Sequence, residues 1–98
     1  MTREERIAAY EEILDRASRT ASQMESLLEE YDRVLPDIRK LEDYYTSSEW
    51  KEDYAADEAG LIPKGLKRGV LSQDTVYDLL ERFRDISTRI NRPENNRN

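Results

Sequence analysis

From Ile7 onward the apolar side chains recur at alternating steps of three and four: Ile7, Tyr10, Leu14, Ala17, Ala21, Met24, Leu28, Tyr31, Leu35 and Ile38. That spacing predicts an a/d heptad seam on one long helix. Ile13, Leu27, Val34 and Leu41 add a third apolar column at g, which widens the stripe toward the face of a helix in a bundle. A bare parallel coiled coil is the alternative reading of the same period. Ala17 and Ala21 mark a thin stretch where another helix could approach closely.

Pro36 interrupts this pattern, because it lacks the N–H and its ring crowds the preceding turn. The heptad phase nevertheless passes through it, and no Gly, Asn or Ser separates Tyr31 from Ile38. A kinked helix is therefore expected rather than two helices joined by a turn. It should end near Tyr45, where Thr46-Ser47-Ser48-Glu49 reads as a capping box with Thr46 as N-cap and Glu49 reaching back; Ser48 is a competing cap.

The next helix carries Trp50 and Tyr54 four residues apart on one face and should stop at Ala59-Gly60. A loop follows in which Leu61, Ile62, Leu66, Val70 and Leu71 are too apolar for a flexible linker, so it should pack. Ser72 caps the last helix, with Asp74 in its first turn and Val76, Leu79, Phe83, Ile86 and Ile90 as its seam. Asn91-Arg92-Pro93 ends it. The expectation is an all-α fold: a small antiparallel helical bundle with a long, Pro-kinked N-terminal helix, a short helix, an ordered loop and a C-terminal helix. Residues 1–91 form one domain in this reading, and 92–98 a disordered tail.

Lengths sharpen the picture. At about 1.5 Å per residue the first helix up to Leu35 spans roughly 45 Å and the last roughly 30 Å, so one cannot cover the other. Either the region from Pro36 to Gly60 folds back, or another chain covers the excess. A homodimer through helix 1, paired about a two-fold axis, is the expected partner arrangement.

Composition removes several functions. The 98 residues fit one small domain, and a charged fraction of 39% against 37% apolar residues suits a water-facing helical protein. There is no Cys, which excludes disulfides, zinc–thiolate sites and thiol nucleophiles, and no His, which removes the usual general base near neutral pH. No apolar run approaches a membrane span, and the charged N-terminus MTREER is unlike a signal peptide. A cytoplasmic protein without membrane contact is expected. A net charge of −6 and a pI near 4.7 argue against nucleic acid as a partner.

The stretch from Leu41 to Leu80 is the most distinctive. It holds the single Trp, four of the six Tyr, all three Gly and one of the three Pro. Its segments LEDYYTSSEW and DYAADEAG, with Ile62-Pro63-Lys64-Gly65-Leu66-Lys67-Arg68-Gly69-Val70-Leu71-Ser72, closely resemble the bacterial family of unknown function DUF4298, from about Ile7 to Leu80. The resemblance implies a small, helical, cytoplasmic bacterial protein and carries over no activity, cofactor or catalytic residue.

Three groups of residues invite a chemical reading. Glu49 and Glu52, with Glu81 and Asp85, are similar in pattern to the carboxylates that hold Mg²⁺ in all-helical nucleotide pyrophosphohydrolases, and oxygen ligands alone suit that ion. Glu81, however, lies about 200° around its helix from both Leu79 and Phe83, so these acids are expected in solvent. Lys64, Lys67 and Arg68 could receive an anion but lack the order of a P-loop. The simpler expectation pairs them with Glu42, Asp43, Asp53, Asp57 and Glu58, in a region of seven acids and one base. Tyr44, Tyr45, Trp50, Tyr54 and Tyr77 are expected mainly as core, any exposed remainder marking a partner site. The reading is a non-enzymatic interaction or assembly module with no cofactor. Its candidate contact residues are Tyr44, Tyr45, Trp50, Tyr54, Lys64, Lys67 and Arg68, and the Mg²⁺-dependent pyrophosphohydrolase is the alternative.

Overall fold

The computed structural model describes residues 1–91, so the tail expected over 92–98 lies outside the described residues. Three α-helices and one 3-10 turn follow in chain order: α1 (Arg3–Tyr45), α2 (Ser48–Glu58), the turn (Gly69–Leu71) and α3 (Gln73–Ile90). No strand occurs among the described residues. The fold is all-α, with the long, short and C-terminal helices in the expected order. Among the described residues no helix is long and apolar enough to cross a membrane.

The chain divides into two units, Met1–Asp37 and the part from Ile38 onward. The first is helix almost throughout. It opens with a capping box that the reading of the sequence missed: Thr2 N–H donates to Glu5 Oε1 at 2.8 Å, and Glu5 N–H to Thr2 Oγ1 at 3.1 Å. Glu4 and Glu5 place negative charge at the positive end of the helix dipole. Helix continues through Pro36 with no intervening turn, because no glycine or cap residue competes for the backbone there. Every residue up to Leu27 is exposed, and only Leu28, Tyr31, Val34 and Leu35 are half-buried.

The second unit holds the core: Trp50, Leu71, Val76 and Leu80 are buried. Val76 and Leu80 lie one turn apart on α3, and half-buried Leu79, Phe83 and Ile86 extend the same stripe. The 3-10 turn neighbours both α2 and α3. Of the apolar loop only Leu71 is buried; Leu61 stays 74% exposed and Leu66 59%, contrary to the expectation that the whole loop would pack. Leu61 follows the stop of α2 and Leu66 closes a tight turn by donating its N–H to the Pro63 carbonyl at 3.1 Å, so backbone geometry, not burial, places both.

Gly60 ends α2 with φ +74, the left-handed conformation a glycine adopts without a Cβ penalty. Its N–H reaches Asp57 O at 3.0 Å and that of Leu61 reaches Ala56 O at 2.9 Å, the two bonds of a Schellman stop. Ser72 caps α3 as expected, accepting from Thr75 N–H at 3.4 Å.

An aromatic corner and a basic loop

The candidate site is built where α1 ends and α2 begins. Ser47, not Thr46, is the N-cap of α2: its Oγ accepts from Trp50 N–H at 3.2 Å while its hydroxyl donates to Tyr44 O at 2.6 Å. One side chain thus closes the last turn of α1 and opens α2. Thr46 instead donates back to Glu42 O at 3.0 Å, satisfying a terminal carbonyl of α1. The expected box between Thr46 and Glu49 gives way to this arrangement because α1 persists through Tyr45, which leaves Thr46 in its closing turn.

The junction brings three rings together. Trp50 stacks on Tyr54 with centroids 5.2 Å apart and planes 19° from parallel, while Tyr45 meets it edge-on at 5.2 Å and 73°. The indole N–H donates to the Val70 carbonyl at 2.9 Å, so the buried polar end of the ring is satisfied. Trp50 is only 5% exposed and belongs to the core. Tyr44, Tyr45 and Tyr54 are half-buried, and Tyr77 is exposed.

Electrostatics differ along this corner. Tyr44 donates its hydroxyl to Asp53 Oδ2 at 2.6 Å, and that bond, with partial burial and the charges of Asp53 and Glu49, pushes its pKa up to about 12. Tyr54 is likewise raised, first by hydrogen bonding to Glu58 and then by that carboxylate's charge.

The basic loop meets its acidic neighbour through one residue. Arg68 Nη1 lies 2.9 Å from Asp57 Oδ1. Among the described residues Lys64 and Lys67 form no ion pair, so the expected complementarity is carried by Arg68 alone. Glu42 is paired from elsewhere: Arg84 Nη2 reaches its Oε2 at 3.1 Å while Nη1 binds Glu81. Asp85 sits 3.9 Å from Arg89. Glu49, Glu52, Glu81 and Asp85 do not converge: among the described residues no group of three or more Asp or Glu is placed to hold a metal ion. Ser47, the Val70 carbonyl and Arg84 were not foreseen. Only Ser47 had a local signal, its place inside the Thr46–Glu49 run.

Fold and corner together define a small all-α protein whose second helix is held by a sandwiched tryptophan. The sequence profile described as Domain of unknown function (DUF4298) matches residues 7–92, and the chain belongs to this family. No curated protein and no solved structure matches it.

Proposed function

We propose that this chain is a non-enzymatic interaction or assembly module that works as a homodimer through α1. One observation carries the reading: Ile7, Tyr10, Ile13, Leu14, Met24 and Leu27 form a helical stripe, and each stays about half exposed or more. A scattered exposed leucine needs no explanation, whereas six large apolar residues in heptad phase do.

Magnitudes set the strength. Covering the exposed half of each side chain contributes about 1 kcal/mol. Over two copies that sums to about 12 kcal/mol, which against a cost of association near the low end of the roughly 4–15 kcal/mol range leaves about 8 kcal/mol, a reversible dimer of about micromolar strength. Tyr44, Tyr45 and Tyr54, together with Lys64 and Lys67 of the loop, offer further contact residues for a protein partner, since their rings are half-buried and the lysines exposed. The proposed setting is the cytoplasm, with which a chain lacking Cys is compatible.

Light scattering across about 1–100 micromolar tests the assembly reading, the range following from that affinity. A rise from monomer to dimer mass is expected; monomer mass throughout would refute it.

A further inference from the structure

We infer that two copies pair antiparallel through the first half of α1, with Ile7 against the partner's Met24, Tyr10 against the partner's Ala21 and Leu14 against the partner's Ala17. The inference rests on the assembly reading above and gives it an orientation and a register. Three observations within the first unit lead to it.

The free seam has a boundary. Every residue from the N-terminus to Leu27 is exposed, and half-burial begins at Leu28. The a/d positions wholly available to a second copy are therefore Ile7, Tyr10, Leu14, Ala17, Ala21 and Met24. A two-fold axis between Asp15 and Arg16 uses all six and no others.

Side-chain volume then selects the direction. A parallel pair sets like against like: Tyr10 on Tyr10, Leu14 on Leu14, then Ala17 on Ala17 and Ala21 on Ala21 in succession. Two helices have one local axial separation, set by the side chains between them, so the leucine layer and the alanine layers next to it cannot both fill it. The antiparallel register places a large side chain opposite a small one at the two central layers on each side of the axis. Ile13, Arg16, Ala17, Thr20 and Ala21 line a shallow groove on the helix, the hole into which the partner's Tyr10 and Leu14 fit.

The flanking columns agree. At g, Ile13 faces the partner's Thr20, and Leu27 faces the partner's Arg6, whose aliphatic stem can cover it while the guanidinium stays in water. At e, Glu11 faces the partner's Ser18, and Glu4 meets the partner's Glu25 near the ends of the contact, where solvent screens the repulsion. A register shifted by one heptad would set Ala17 against the partner's Ala21, Glu11 against the partner's Glu25 and Glu4 against the partner's Asp32. It would combine two alanine layers with a flank in which Glu11 and Glu4 both meet acids on each side of a central Ser18 pair. The parallel arrangement gains Arg6 opposite the partner's Glu11, an exposed pair that contributes little.

The chain lacks Cys, so introduced thiols report position directly. Ile7→Cys and a tagged Met24→Cys are mixed, equilibrated and oxidised, with helix content and mass checked first. A disulfide needs Cα atoms within about 7 Å. The register brings residue 7 of one chain beside residue 24 of the other and holds the two residues 7 about 25 Å apart along the axis. The mixed 7–24 disulfide is expected in excess over both homodisulfides. Homodisulfides at 7 and at 24 would establish a parallel pair, and dimers with neither product would refute this register; in both cases the assembly reading stands. A wild-type monomer would overturn both. Spin labels on Ser26→Cys, outside the seam, provide a second readout that leaves every seam residue intact. A separation of roughly 30 Å along the axis is expected for the antiparallel register, and labels at the same height would refute it.

Discussion

The indole N–H of Trp50 donates to the carbonyl oxygen of Val70 at 2.9 Å, joining α2 to the turn that leads into α3. The same ring is held between Tyr45 and Tyr54, so one side chain links three segments of the second unit.

Replacing that ring separates packing from hydrogen bonding. Trp50→Ala removes the largest core side chain and is expected to cost about 3–5 kcal/mol. Trp50→Phe keeps an aromatic but leaves the Val70 carbonyl unpaired, for about 1–3 kcal/mol. Urea denaturation followed by circular dichroism, which needs no tryptophan signal, should rank wild type above Phe above Ala. Equal stability of the two variants would show that the hydrogen bond dominates.

Caps at the helix junction can be ranked in the same way. Ser47→Ala loses the acceptor for Trp50 N–H and the donor to Tyr44 O, and should destabilise by about 1 kcal/mol. Glu49→Gln should change stability very little, since Glu49 does not close a box. A larger loss for Thr46→Ala than for Ser47→Ala in thermal melts would reverse this assignment.

Tyr44 makes stability depend on pH at the alkaline end. Its folded pKa of about 12 lies above the unfolded value of 10.0, so the neutral phenol is favoured by folding. The contribution is fully present below pH 10 and is lost as pH rises through about 12. Spectrophotometric titration of tyrosinate should show a group near 12 in wild type that is missing in Tyr44→Phe. Asp53→Asn should move that group back toward 10, its main cause having been removed. An unshifted curve in Asp53→Asn would refute the account.

Leu14→Glu places a charge in the seam of α1 without touching the second unit. Dimer mass should be lost at concentrations where wild type is dimeric. Trp50 fluorescence and the unfolding midpoint of monomeric protein should stay unchanged. Dimers surviving in Leu14→Glu would move the interface away from this seam.

Arg84→Ala removes the ion pairs to Glu42 and Glu81 together. Both acids are about half exposed, so a loss of only about 0–1 kcal/mol is expected, smaller still in high salt. A larger, salt-insensitive loss in denaturation would mean that Arg84 acts through packing of its stem.

Features set within a few residues were legible in the sequence. Gly60, Ser72 and Asp74 stand where cap chemistry puts them, and Trp50 and Tyr54 share a face because four residues make about one turn. The choice among Thr46, Ser47 and Ser48 was not legible, since any of three adjacent hydroxyls can cap and only the last turn of α1 selects one. Apolar character misled at Leu61 and Leu66, where turn geometry decides the placement. It held at Leu71.

By itself, then, the sequence determined three helices in order, the ends of α1 and α2, the start of α3, and the heptad seam along α1. Helical hydrogen bonds and caps close within about four residues, so local chemistry suffices. Tertiary structure alone decided that Trp50 finds an acceptor 20 residues away at Val70, that Arg84 reaches Glu42 across 42 residues, and that Tyr44 rather than a loop cation takes Asp53. Such pairings depend on where the 3-10 turn carries the chain between α2 and α3. No periodicity encodes that path.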